Sequence, residues 1–168
     1  GGNKTGRDAA LGAGVGALGG YVWSQRMEAQ REAMAQATAG TGVDVSRTAN
    51  NELKLDIPSD ISFDTGKAAL KPEMRPILDR FAQTLKDNPA TKLRIVGHTD
   101  NTGSDAINNP LSLERASSAR NYLEDRGVAG SRIETVGRGS REPVADNSSD
   151  AGRAKNRRIE VFVAEASH

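Results

Sequence analysis

Near the middle of this 168-residue chain the apolar positions Leu93, Ile95 and Val96 run into Gly97-His98-Thr99-Asp100, and the glycine-bearing turn Asn101-Thr102-Gly103 follows. This reads as a short strand that delivers an acid at its carboxyl end, where α/β sheets bind their ligands. Past Asn108, the run Leu111-Ser112-Leu113-Glu114-Arg115-Ala116 reads as a helix start, with Ser112 as N-cap and Arg115 one turn inside. A strand, loop and helix joined this closely fold back on themselves and bring the Asp100 carboxylate near the Arg115 guanidinium.

Two uses fit that pair. The side chains could bond each other and close the loop. Alternatively they could form opposite walls of a pocket for a zwitterion, with Asp100 taking an ammonium and Arg115 a carboxylate through its planar fork. Each such charge-assisted bond nets roughly 1.5–3 kcal/mol. Spacing does not choose between them.

The rest of the chain supplies a small α+β unit. Leu53, Leu55 and Ile57 alternate with Glu52, Lys54 and Asp56 as in a half-buried strand that stops at Pro58. Leu70-Lys71-Pro72-Glu73 opens a helix whose buried stripe is Met74, Ile77, Leu78, Phe81, Ala82 and Leu85, ending at Asp87-Asn88-Pro89. In the helix after Ser112, Leu113, Ala116, Ala119, Tyr122 and Leu123 are expected to face the core, with Gly127 closing it. Ile133 and Val136 mark a third strand and Ile159, Val161 and Val163 a fourth; the loop 137–155 between them holds a helical turn near 150–154. The expectation is a mixed four-stranded sheet with two main helices largely on one face, spanning residues 44–165.

Several blocks resemble the OmpA-like peptidoglycan-binding domain family of bacterial envelope anchors. They are Ile61-Ser62-Phe63-Asp64-Thr65-Gly66-Lys67, the Gly97–Gly103 stretch with Asn108 to Ala116, Arg132-Ile133, Gly137-Arg138-Gly139, Glu142 to Asn147, and Gly152 to Val161. The resemblance implies the same α+β architecture and a non-enzymatic role. It further implies that Asp100 accepts the ammonium and Arg115 grips the carboxylate of diaminopimelate in a peptidoglycan stem peptide. Asp64, Thr102, Asn108 and Arg157 stand where the family lines the same pocket, with Leu111 as a wall. Ile107 departs from the aromatic or polar residue many members carry before the asparagine. Asp64 could instead cap its turn, Asn108 satisfy loop backbone, and Arg157 belong to a solvated edge. A different use of the same fold would be an envelope regulatory or assembly protein that binds another protein.

Composition removes other classes. Basic and acidic side chains number 23 and 22, a net charge of +1, so no global field favours nucleic acid. There is no cysteine, hence no disulfide framework and no thiolate nucleophile or metal ligand. A catalytic zinc needs three protein ligands, yet beside His98 the other histidine is His168 at the far terminus, and no serine has a nucleophile-elbow context. His98 therefore reads as structural, and no cofactor is expected.

Residues 1–43 read as a membrane-proximal extension. Gly12, Gly16 and Gly20 recur every four residues, a small-residue ridge that suits close helix packing and self-association. An interfacial or self-associating helix, a flexible tether and a transmembrane span all remain open, although the segment is shorter than the roughly twenty apolar residues a lone span needs. Gly14 to Gly19 also fits G-x-G-x-x-G, but nothing strand-like precedes it, so nucleotide binding is set aside. Tyr21 and Trp23 would suit a headgroup boundary, and the polar 24–39 stretch reads as a solvated spacer helix. The chain opens Gly1-Gly2 rather than Met, as a processed product would, with any signal peptide or lipid-bearing residue ahead of it. The expected location is the periplasmic face of the outer membrane.

Overall fold

The alternation at 53–57 becomes the strand Leu53–Pro58, with Leu53, Leu55 and Ile57 buried, in a computed structural model that describes residues 20–166. In chain order the elements are β1 (Tyr21–Val22), α1 (Gln25–Thr38), β2 (Asp44–Arg47), β3 (Leu53–Pro58), α2 (Arg75–Asp87), β4 (Thr91–His98), α3 (Asp105–Asp125), β5 (Ile133–Gly137), α4 (Asp150–Asn156) and β6 (Arg158–Ala166). Short 3-10 turns occupy Ser59–Ile61, Pro72–Met74 and Gly130–Arg132.

The sheet runs β2-β3-β6-β4-β5, and β1 pairs with the end of β6. All its ladders are antiparallel except β4 with β5, whose parallel pairing is bridged by α3. The sheet is thus mixed, as expected, with β1 and β2 added at its margins. Both are short or exposed, so they carry little of the hydrophobic alternation that makes a strand legible.

Beneath α1, α2 and α3, the inward residues of the sheet (Leu53, Leu55, Ile57, Leu93, Ile95, Ile133, Ile159, Val161 and Val163) join one core with the whole expected stripe of α2. On the opposite face Val96, Phe162 and Ala164 form a smaller cluster with Tyr21 and Val136. The central strand β6 is consequently buried from Arg158 to Ala164 on both sides.

Three expectations are corrected. First, α1 is not a solvated spacer. Met27 and Met34 are fully buried in the main core, Gln30 Nε2 donates to Thr84 Oγ1 on α2 at 2.9 Å, and Ser24 caps α1 while donating to Glu165 at 2.7 Å. Two methionines and an alanine-rich surface suffice to seat a helix when the partner surface is complementary, because flexible thioethers fill irregular gaps. The globular unit therefore includes residues ahead of 44.

Second, a helical ridge does not extend to Gly20, whose φ of +69° lies in the left-handed region. Tyr21 enters β1 and packs near Phe162, while Trp23 joins the main core with the Arg47 guanidinium 4.8 Å above its ring. Gly12 and Gly16 lie outside the described residues. Among the described residues, no helix is long and apolar enough to cross a membrane.

Third, α3 begins at Asp105 rather than after Ser112. Its first turn is held by the Ser104 carbonyl, which accepts from Ile107 and Asn108 at 3.1 and 2.9 Å, and Pro110 removes a single rung close to that end. Helical phase then places Ser112, Arg115, Ala116, Ala119 and Leu123 inward and turns Leu113 outward, 43% exposed.

Candidate functional site

The parallel β4-α3-β5 unit sets the geometry of the site. Gly97, opposite Gly137 in the ladder, lies directly under the Ser112 backbone, close enough that a Cβ there would collide with the Ser112 carbonyl. This close approach brings the carboxyl end of β4 and the second turn of α3 together, with Asp100 and Arg115 on either side of the contact. Ser112 is a buried brace in this joint: its hydroxyl donates to Asn109 O and accepts from Gly139 N–H, each at 2.9 Å.

Asp100, Thr102, Asn108, Leu111, Arg115, Asp64 and Arg157 all line one open cleft of about 580 Å³. Its walls are built from four separate stretches of chain. Asp100 Oδ1 accepts from the Thr102 N–H at 2.8 Å and Oδ2 from Arg157 Nη1 at 2.6 Å. Burial pushes its carboxyl pKa up, but those two donors outweigh it and hold the group below the usual carboxylate range. Asn108 Nδ2 donates to Thr102 O at 3.0 Å, which keeps the 100–103 turn against α3.

Arg115 is 5% exposed and faces the other side of the cleft. Its Nε donates to Lys67 O at 2.9 Å and Nη2 to Asp64 O at 3.4 Å, and its guanidinium lies 5.1 Å from the Phe63 ring centroid. Arg115 thus fixes the 64–67 turn, and Asp64 contributes through its carbonyl while its side chain stays exposed. No ion pair joins Asp100 to Arg115 among the described residues, so the loop-closing alternative is not what the fold adopts.

Sequence reasoning missed Asp60, whose two carboxylate oxygens each take one Arg157 nitrogen at 2.9 Å. Nothing local marks it, since its partner stands 97 positions away. It also passed over Asn156, which is fully buried. Its Oδ1 accepts from Val144 and Ala145 N–H at 2.8 and 2.9 Å, and its Nδ2 donates to Ala145 O and Asn147 Oδ1 at 2.9 and 2.8 Å, shaping the loop before α4. Arg153 and Lys71 add positive charge to the rim of the cleft.

His98 points away from the cleft, with Nε2 2.9 Å from Glu160 Oε1 in a buried group that includes Arg158 and is flanked by the partly buried Lys54. Burial lowers its pKa, so it stands as a neutral donor to an ionised Glu160. Among the described residues, no cluster of three or more metal-ligating side chains occurs.

A mixed sheet carrying helices on one face, with an acid and an arginine on opposite sides of an open cleft at a strand end, defines an α+β domain with a charged cleft. The match of residues 62–157 to the model of the OmpA family places this chain in that family. It is similar to the probable lipoprotein YiaD of Escherichia coli, 40% identical over 144 residues that cover 86% of this chain and 65% of that one. The peptidoglycan-binding protein ArfA of Mycobacterium tuberculosis is 50% identical over 103 residues, 61% of this chain and 32% of ArfA. The chain thus spans from about a third to just under two thirds of the length of these relatives. Among solved structures, the cell wall anchor of the type VI secretion system (T6SS) from Pseudomonas aeruginosa superposes with a TM-score of 0.71 at 31% identity, covering 82% of this chain and 97% of that one.

Proposed function

We propose that this protein binds diaminopimelate-type peptidoglycan non-covalently and so ties the outer membrane to the cell wall from its periplasmic face. The observation that carries the reading is the separation of Asp100 and Arg115 across one cleft. One acid and one guanidinium, each held by neighbours other than the other, suit the two ends of an amino acid. Asp100 takes the side-chain ammonium and Arg115 the adjacent carboxylate. Thr102, Asn108 and the Asp64 turn supply backbone and amide contacts, Arg157 closes the acid side, and Leu111 packs on the methylenes. The names borne by ArfA and by the secretion-system anchor support the ligand class, and that of YiaD supports attachment to a membrane. The residues ahead of 20 make that connection, with Gly12 and Gly16 spaced for packing against a second copy.

A monovalent fragment is bound at roughly micromolar to millimolar affinity once the loss of ligand freedom is counted. Confinement beside a polymer converts that weak grip into firm attachment through effective concentration. The direct test is calorimetric titration of the protein with a diaminopimelate-containing muropeptide. Saturable binding by wild type, abolished in Asp100→Ala and weakened in Arg115→Lys, is expected. Absence of binding to both the fragment and whole sacculi would overturn the reading and direct the search to envelope proteins. A lysine-type stem peptide lacks the carboxylate that Arg115 matches, and is expected to bind about tenfold more weakly. Equal affinity for the two peptides would refute the two-walled pocket.

A further inference from the structure

Arg157 is divided between two carboxylates. The Nε and Nη2 edge of its fork meets both oxygens of Asp60 at 2.9 Å, and the remaining Nη1 reaches Asp100 Oδ2 at 2.6 Å. The Asp60 side chain is 51% exposed and that of Arg157 30%, and half-exposed pairs of this kind contribute little to stability. Their effect falls instead on the cleft that both residues line.

We propose that Asp60 is a positioning residue for ligand recognition: it engages the bidentate edge of Arg157 so that only one nitrogen is spent on Asp100, which stays open to a ligand cation. This rests on the reading of the cleft as an ammonium-and-carboxylate site. A carboxylate can accept about four hydrogen bonds, and Asp100 receives one from Thr102 and one from Arg157. Two carboxylates and one guanidinium leave one net negative charge at this end, the complement of a single ammonium. Without Asp60, Arg157 and Asp100 cancel, and the freed edge of the fork can turn onto Asp100 and mask it.

The backbone fixes this division. Asp60 lies in the 3-10 turn directly after β3, where Pro58 pairs with Arg158 across the ladder to β6, and the Ser59 N–H donates to Arg157 O at 2.9 Å. The spacing of Asp60 from Arg157 therefore follows from sheet register.

The test titrates the full chain with two probes, a diaminopimelate muropeptide and the same fragment acetylated on its side-chain amine. Asp60→Asn is expected to weaken the free-amine probe about tenfold, the scale of one charge-assisted contact, while the acetylated probe changes less than about twofold. The double variant Asp60→Asn/Arg157→Gln restores the single negative charge and is expected to bind the free-amine probe more tightly than Asp60→Asn alone. A residue that merely supported the fold would show no such recovery. Unchanged free-amine affinity in Asp60→Asn, or a double variant no better than the single one, overturns the inference and leaves the cell-wall reading standing. Failure of wild type to bind the free-amine fragment defeats both.

Discussion

Replacing Gly97 by alanine isolates the contact on which the cleft depends. A Cβ at this position would stand 2.8 Å from the Ser112 carbonyl carbon and nearer still to its oxygen, whereas ordinary contact begins at 3.4 Å. Helix α3 must therefore retreat by at least the difference, 0.6 Å, and Ser112 is fully buried, with no space to yield into. The neighbouring Gly137 also lies close under α3, its own Cβ position falling 2.7 Å from the Leu113 nitrogen, so the helix is seated on the sheet at two adjacent points. Overpacking of this kind costs about 1–3 kcal/mol. For a domain of this length that lowers the melting midpoint by roughly 3–10 °C. Asp100 and Arg115 lie just beyond the contact on its two sides, so their separation changes along with it, and muropeptide affinity is expected to fall with stability. Differential scanning calorimetry and titration on the same preparation read both. A Gly97→Ala protein that melts within about 1 °C of wild type would refute the claim that α3 is locked onto β4 here.

Other parts of the fold give separate expectations. Met34→Ala removes a fully buried side chain from the joint of α1 with the core and is expected to cost about 2–5 kcal/mol in urea unfolding, where a solvated spacer would lose almost nothing. Asn156→Ala deletes four hydrogen bonds and strands two backbone N–H groups of the 144–145 turn, which is expected to destabilise the protein by about 2–4 kcal/mol. His98 is held neutral by burial, so its folded pKa lies below the ordinary value of about 6.5. Its contribution to stability is present above that pH and is lost as pH falls towards the folded value, at up to about 1.4 kcal/mol per pH unit. Denaturant melts at pH 7.5, 6 and 5 should show the decline, and His98→Gln should flatten it; an identical slope in the variant would assign the loss to other groups. The Asp100 carboxyl is depressed, so muropeptide affinity measured by titration calorimetry should hold from pH 7 through the ordinary carboxylate range and fall only below it.

Much of this protein could be read from its sequence because the information is local. The alternation of Leu53, Leu55 and Ile57 and the stripe from Met74 to Leu85 record which face each element buries, and the structure buries those faces. The residues of the cleft were legible by resemblance to a family, as ordered blocks, and the structure gathers them along one cleft. Tertiary structure alone decided the rest. Residues 25–38 carry too thin an apolar stripe to announce their burial, and only the matching surface of α2 and the sheet seats Met27 and Met34. Ser112 resembles a cap, yet the helix starts at Asp105, since the Ser104 carbonyl and Asn108 hold a turn whose polar residues and Pro110 read as loop. Whether Asp100 met Arg115 or another partner depended on where the chain laid Arg157, just ahead of β6, and Asp60, in the turn just after β3. Those positions are set by the register of strands separated by a hundred residues, and a charge pair so distant leaves no periodicity or spacing in the chain.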